Sequence, residues 1–153
     1  QIAHIALWTT RLEQMRSFYV TYFGGESSEK VNPGKGFESY FIRFGHSAAL
    51  EIMSRTDITS PATKECTGFC HVAFNAGTVE AVHGLTRRLR EDGFRVFSEP
   101  RTTGDGFFES VIGDPDGNRV EIVPDTATHD PDRNPVNFRD ETTGNIDADD
   151  NRA

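Results

Sequence analysis

The sequence predicts an α+β fold made of two βαβββ modules, and an internal repeat is the main reason. The segments Ala3–Leu7 (AHIAL) and Cys70–Phe74 (CHVAF) each place a histidine at the start of a strand-like alternation of apolar residues. Ala49–Met53 (ALEIM) and Arg119–Val123 (RVEIV) then place a glutamate in the same setting late in each half. A repeat of this length corresponds to one supersecondary unit, so we expect both halves to fold alike.

The first module, about residues 1–60, begins with a predicted strand at 2–9. Thr10 and Glu13 have the spacing of a capping box, which predicts a helix start, and Gly24 predicts its end. Three strands are then predicted at 26–32, 37–45 and 48–54, the first being the weakest because it is mostly polar.

The second module, about residues 66–124, repeats this order after a predicted strand at 69–75. Thr78 opens a helix with apolar residues at helical spacing, and Gly93 closes it. The remaining strands are predicted at 94–98, 106–113 and 118–124. The sequence Asp114–Gly117 (DPDG) is a strong turn signal between the last two strands.

Composition places the chain among single-domain proteins and disfavours two classes of partner. With 153 residues, 35% of them hydrophobic, residues 1–124 suffice for one domain with a core. No apolar stretch is long enough for a membrane span, and the first residues are not typical of a secretion signal. A net charge of −8 disfavours nucleic acid as a partner. Only two cysteines, Cys66 and Cys70, are present, and we therefore expect a cytoplasmic location.

Residues 125–153 are expected to form an acidic C-terminal extension. They contain eight acidic and three basic residues and few apolar ones. We expect this segment to lie along the chain's own fold or along a partner subunit.

His4, Glu51, His71 and Glu121 are the candidate metal ligands. The interval from the histidine to the glutamate is 47 residues in the first half and 50 in the second. Both glutamates lie in apolar strands, where an unpartnered carboxylate costs several kcal/mol, and a divalent metal would offset that cost. The alternatives are hydrogen-bonded histidines with solvent-facing glutamates, or a zinc site at Cys66, Cys70 and His71, which lacks a second ligand pair.

These four residues, together with the DPDGNRVEI segment, resemble the vicinal oxygen chelate superfamily, and their pattern is similar to that of glyoxalase I. The resemblance covers about residues 1–124. It implies a half-open barrel around one divalent metal, held by His4, Glu51, His71 and Glu121. In similar dimeric members the site lies between subunits, so a homodimer is expected, with the site at or near the interface and its ligands either all from one chain or two from each.

The same resemblance implies the activity of a lactoylglutathione lyase acting on a small-molecule substrate. The metal, which by ligand type is zinc, nickel, cobalt or manganese, would polarise a carbonyl and stabilise an enediolate. Glu121 would carry the proton between neighbouring carbons, with Glu51 as its counterpart.

Other members of the superfamily supply the alternatives. Methylmalonyl-CoA epimerase also moves a proton next to a carbonyl, although its equivalent of Glu51 is commonly glutamine. Extradiol dioxygenases and fosfomycin-resistance enzymes use two histidines and one carboxylate, and this pattern fits less well here. Bleomycin-resistance proteins bind a drug without a metal and are the non-enzymatic alternative.

Two expected substrate-binding positions differ from bacterial glyoxalase I. Trp8 stands where an arginine helps to hold glutathione, and Arg55 stands where an asparagine often assists. An aromatic residue at this place can pack on an apolar substrate, and an arginine can pair with a carboxylate or phosphate. The other pocket candidates are Met53, Phe107, Phe108 and Arg119.

Overall fold

Two helices and nine strands make up the part of the chain that the structure, a computed structural model, describes: residues 2–59, 67–104 and 106–125. The first module contains β1 (His4–Trp8), α1 (Leu12–Phe23), β2 (Glu26–Ser27), β3 (Val31–Gly34), β4 (Phe37–Arg43) and β5 (Ala49–Arg55). The second contains β6 (His71–Asn75), α2 (Val79–Glu91), β7 (Val96–Thr102), β8 (Phe108–Gly113) and β9 (Arg119–Val123).

Each module forms one mixed sheet, and the two sheets have the same strand order. The first runs β1-β5-β4-β2, with β3 also paired to β4, and the second runs β6-β9-β8-β7. In both, the first strand pairs in parallel with the last, and the other long strands pair antiparallel. The prediction of an α+β fold of two βαβββ modules is therefore confirmed.

The start of α1 differs from the predicted capping box. Arg11 occupies the N-cap and makes no side-chain capping bond, while its own N–H donates to the Thr9 hydroxyl at 2.8 Å. Glu13 does not reach back to the cap. Its carboxylate accepts a hydrogen bond from the Tyr40 hydroxyl and pairs with Lys30 at 2.6 Å, and this pairing lowers the pKa of Glu13. These tertiary partners replace the local one.

The end of α1 requires two glycines for different reasons. Gly24 has a left-handed φ of 65°, which closes the helix as predicted. At Gly25, an added Cβ would lie 2.3 Å from Cγ2 of Ile42, so only a hydrogen allows the chain to pass this close to β4.

Two strand predictions are only partly right. The stretch predicted as one strand at 26–32 is divided into β2 and β3, and β3 meets β4 with a shift in register. Strand β7 extends to Thr102, beyond the predicted 94–98, through two irregularities in its pairing with β8. Cys66 lies outside the described residues. The predicted C-terminal extension, residues 125–153, also lies outside them except for Asp125.

The predicted signals around α2 and the last hairpin are confirmed. Thr78 is the N-cap of α2, and its hydroxyl accepts from the Ala81 N–H at 3.1 Å. The turn between β8 and β9 closes through a hydrogen bond from the Gly117 N–H to the Asp114 carbonyl at 2.9 Å.

The core lies between the helices and one face of each sheet. Strand alternation gives both sheets a helix-facing set of apolar side chains, and the opposite face is more polar. The core residues from the strands and helices are Leu12, Met15, Phe18, Tyr19, Tyr40, Ile42, Leu50, Ile52, Val82, Leu89, Ile112, Val120 and Ile122.

Helix α1 also packs against the second module through aromatic rings. Phe74 of β6 lies 4.5 Å from Phe23 and 5.8 Å from Tyr19 between ring centroids, and Phe94 lies 4.9 Å from Phe18. Aromatic pairs at such distances contribute about 0.5–1.5 kcal/mol each beyond the area they bury. The two modules are therefore joined on their helix side.

A buried polar contact adds to this junction. The Tyr19 hydroxyl donates to Oδ2 of Asp114 at 3.2 Å, and Asp114 also accepts from the N–H groups of Asp116 and Asn118 and from the Asn118 amide. Burial raises the pKa of the Asp114 carboxyl, although these donors oppose the shift. Burial and the nearby Asp114 also raise the pKa of Tyr19.

We predict that Asp114→Ala lowers the free energy of unfolding by about 3 kcal/mol, because it leaves several buried donors without an acceptor. The matched variant Tyr19→Phe removes one donor and leaves Asp114 its other three, so its cost should be about 1 kcal/mol. Urea unfolding followed by circular dichroism measures both values. If Asp114→Ala lowered the free energy of unfolding by less than Tyr19→Phe does, Asp114 would not stabilise the contact between the two modules.

Candidate active site

The predicted ligands lie on the sheet faces that point away from the helices. On β1 the side chains of His4, Ala6 and Trp8 are exposed, while those of Ile5 and Leu7 pack against the core. The same alternation places His71 on the outer face of β6. Glu51 and Glu121 lie on the neighbouring parallel strands, where they register with Ala6 and Ala73.

In the first module, His4 and Glu51 form a close pair. The distance from His4 Nε2 to Glu51 Oε2 is 3.7 Å, and the glutamate side chain is only 16% exposed. The ring of Phe41, which registers with Glu51 across β4 and β5, meets the His4 imidazole edge-on at 5.5 Å. Contact with this ring restricts the orientations open to the imidazole.

In the second module, His71 and Glu121 form the equivalent pair. His71 Nε2 lies 3.2 Å from Glu121 Oε2, and the Glu121 side chain is again 16% exposed. Val111 replaces the phenylalanine of the first module, since it registers with Glu121 across β8 and β9.

Each pair has donor atoms and a spacing that suit one divalent cation. Zinc binds imidazole nitrogen and carboxylate oxygen at about 2.0–2.2 Å, so two such donors on one ion lie about 3.0–3.5 Å apart at octahedral or tetrahedral angles and never beyond about 4.4 Å. The observed 3.2 and 3.7 Å require little or no movement. Each module thus supplies one nitrogen and one oxygen donor.

The four predicted ligands do not converge within one chain. Among residues 2–59, 67–104 and 106–125, no group of three or more His, Cys, Asp or Glu side chains is close enough to share a metal. The structure therefore brings together His4 with Glu51 and His71 with Glu121, and it leaves the two pairs apart. The described part of one chain therefore presents two separate His–Glu pairs.

Beyond Glu51, the outer face of the first sheet carries an aromatic and cationic group. The Arg55 guanidinium lies over the Trp8 ring at 4.8 Å, and the Phe37 ring meets Trp8 edge-on at 6.2 Å. Arg55 also forms a two-point hydrogen bond with Asp57, one arm of which measures 2.9 Å. This pairing raises the pKa of Arg55 and lowers that of Asp57.

The other pocket candidates fall in different places. Met53 registers with Trp8 on the outer face, and Arg119 registers with His71 and lies over the Phe97 ring at 4.8 Å. Phe107 precedes β8, and its carbonyl accepts from the Thr103 N–H. Phe108 packs against the core and meets the ring of His83 on α2 at 5.4 Å.

Four contacts of the site were missed in the sequence. Phe37 and Phe41 lie four residues apart on β4, so their side chains point to the same face of the sheet. Because Phe41 registers with Glu51, both rings lie on the outer face. The pairing of Arg55 with Asp57 follows from a turn after β5, and the ring of Phe97 reaches Arg119 through the irregular β7. Those two contacts leave no simple periodic signal.

A cavity of about 540 Å³ lies elsewhere, between α1 and the connections that flank β7 and β9. Arg11, Phe18, Phe94 and Arg95 are among its lining residues, and none of the candidate ligands is. Its two cations already have partners, since Arg11 donates to the Pro115 carbonyl at 2.7 Å and Arg95 lies over Phe97 at 4.5 Å.

No helix in the described part of the chain is long and apolar enough to cross a membrane.

The chain is similar to a protein of Bacillus subtilis in sequence and to several glyoxalases in structure. The Bacillus subtilis protein YqjT is 28% identical over 127 residues, which cover 78% of this chain and 95% of YqjT. The trypanothione-dependent glyoxalase I of Leishmania major matches with a TM-score of 0.66 at 21% identity, covering 83% of this chain and 88% of the other. A glyoxalase family protein from Enterococcus faecalis matches at 0.65 and 26% identity, covering 80% and 96%.

The family assignment agrees with the fold and with the repeated His–Glu pairs. A family model matches residues 1–122, which include both modules and all four candidate ligands. The chain belongs to the glyoxalase/bleomycin resistance protein/dioxygenase superfamily.

Proposed function

We propose that this protein is a divalent-metal-dependent enzyme of the lactoylglutathione lyase type, which moves a proton between carbons next to a carbonyl. The observation that carries the proposal is the presence of two His–Glu pairs, with Nε2 to Oε2 distances of 3.7 and 3.2 Å, on equivalent outer faces. Two imidazoles and two carboxylates differ from the two-histidine, one-carboxylate set of an open iron site. The donor set favours a proton-transfer enzyme over an oxygenase.

The complete site is proposed to form between two chains. His4 and Glu51 of one chain would face His71 and Glu121 of its partner, and a symmetric dimer would then hold two equivalent sites. This arrangement accounts for the two separate His–Glu pairs on one chain. It also agrees with the finding that the described residues contain no group of three or more potential metal ligands. The acidic segment 125–153 and a cytoplasmic location remain predictions.

Within such a site, the four side chains have distinct tasks. His4 and His71 would hold zinc, nickel, cobalt or manganese through Nε2, together with the carboxylates of Glu51 and Glu121, and the ion when bound supplies positive charge next to the substrate oxygens. Glu121 would take the proton from carbon as general base and return it to the neighbouring carbon as general acid. Glu51 is its counterpart, and its low exposure limits competing proton exchange with water.

Turnover should depend on both the metal and Glu121. The protein is stripped of metal with a chelator and reloaded with nickel, cobalt, manganese or zinc. We expect it then to form lactoylglutathione from methylglyoxal and glutathione, and the absorbance of the product measures the rate. Glu121→Gln keeps the size of the side chain but removes its basicity, and we expect at least a hundredfold loss of kcat, within the usual contribution of a general base.

The matched control for this experiment is Glu109→Gln, because Glu109 is a glutamate on β8, the strand next to β9, and it pairs with Arg101 at 3.5 Å. We expect less than a threefold change in kcat from it. Absence of turnover with every metal, despite one bound ion per site, would reject the lactoylglutathione lyase activity while leaving metal binding intact.

A site shared between chains should show complementation. His4→Ala and His71→Ala each damage every site in their own homodimer, so each variant alone should be inactive. In a mixed dimer one site carries both substitutions and the other carries neither. After subunit exchange of equal amounts, half of the dimers are mixed, and about a quarter of the wild-type sites should return.

Metal stoichiometry and activity measure this recovery independently of each other. The matched control mixes His4→Ala with Glu51→Gln. Each chain of the mixed dimer then carries a damaged His4–Glu51 pair, so each of the two sites contains one substitution and no intact site can form. Recovery in the control, or none in the test mixture despite confirmed subunit exchange, would contradict a shared site.

A further inference from the structure

The group formed by Trp8, Phe37, Arg55 and Asp57 extends the outer face of the first sheet away from the His4–Glu51 pair. Trp8 registers with Met53, two residues along β5 from Glu51, and Arg55 follows two residues further. At about 3.3 Å per residue, the Trp8 row lies about 7 Å from Glu51 and the Arg55 row about 13 Å. If the oxygens of a substrate were bound at the His4–Glu51 pair, a substituent about as long as one aromatic ring would reach Trp8.

The chemistry at the Trp8 row is aromatic and uncharged. The indole side chain is held on one side by the Arg55 guanidinium at 4.8 Å and at its edge by the Phe37 ring at 6.2 Å, yet Trp8 remains 39% exposed. The thioether of Met53 and the indole of Trp8 therefore present an apolar surface, and the contacts of Trp8 fix it in place. A flat ring packs well on such a surface.

Arg55 does not act as an open anion site in this arrangement. Its guanidinium fork is already occupied at two points by Asp57, and stacking on Trp8 fixes its plane. A substrate carboxylate would have to compete with a carboxylate two residues away along the chain, and the Arg55–Asp57 pair carries no net charge. The pair holds the indole and contributes little attraction for anions.

Resting on the proposed function, we infer that the preferred substrate is a carbonyl compound whose substituent beyond the reacting carbons is a flat, uncharged ring that packs on Trp8. Trp8 is then the residue that determines specificity, and Arg55 with Asp57 positions it. Fully burying such a ring is worth about 1.5–3 kcal/mol, or roughly ten- to a hundredfold in affinity.

Three hydroxamates test this inference, because each binds a divalent metal through two neighbouring oxygens and they differ only in the substituent. Acetohydroxamate carries a methyl group, benzohydroxamate a phenyl ring, and 4-carboxybenzohydroxamate a ring ending in a carboxylate. Calorimetry on the zinc-loaded protein measures each Kd. Trp8 is the chain's one tryptophan, so quenching of its fluorescence reports directly whether the ring lies on it.

The zinc-loaded protein should bind benzohydroxamate at least tenfold more tightly than acetohydroxamate and quench Trp8 only with the aromatic probes. Trp8→Ala should reduce this ratio below about threefold, and Trp8→Phe should retain most of it. The carboxylate probe should gain no affinity over benzohydroxamate in the unmodified protein. Asp57→Asn frees the guanidinium of Arg55, and the carboxylate probe should then gain at least threefold.

The failures of the two proposals can be told apart. Equal affinities for the methyl and phenyl probes, or a tenfold preference for the carboxylate probe in the unmodified protein, would overturn the substrate class while the metal site stands. Binding that is unchanged after removal of zinc would overturn the proposed metal site, and this inference with it.

Discussion

The packing of α1 against the second module determines how this chain presents its functional groups. Phe23, Tyr19 and Phe18 meet Phe74 and Phe94 on the helix side of both sheets, and the Tyr19–Asp114 hydrogen bond joins the same two parts. Because this side of each sheet is buried, ionisable strand side chains such as those of His4, Glu51, His71 and Glu121 lie on the outer faces. The His–Glu pairs are therefore displayed outward, and the core that joins the modules also keeps the two pairs apart.

The outer faces place two carboxylates under an energetic constraint. Glu51 and Glu121 are each 16% exposed, and each lies close to the imidazole of a histidine. A mostly buried carboxylate loses hydration, and the groups around it have to offset that loss. A divalent cation, or the approach of a second chain with one, offsets this loss most directly. In the proposed site, a bound cation would therefore also stabilise the outer face, because both effects depend on the same two carboxylates.

Much of this arrangement could be predicted from the sequence, because it depends on short periods. The repeat and the order of elements along the chain follow from short motifs, and alternation along each strand puts the candidate ligands His4, Glu51, His71 and Glu121 on the face away from the helices. Contacts between distant segments could not be found in this way: Glu13 prefers Lys30 and Tyr40 to its predicted cap, and Phe108 turns to the core. That the four ligands separate into two pairs depends on how modules pack, which no local pattern encodes.

The internal repeat has a consequence for the direction of the chemistry. A site built from two repeat-equivalent His–Glu pairs is nearly two-fold symmetric at its centre, so its donors alone cannot distinguish one end of a substrate from the other. The flanking strands break this pseudosymmetry: Asn75 stands at the place of Trp8, and Asp125 at that of Arg55. In the proposed assembly, the orientation of the substrate is governed by side chains outside the ligand set, and exchanging them between the modules would reverse which end of the substrate faces each glutamate.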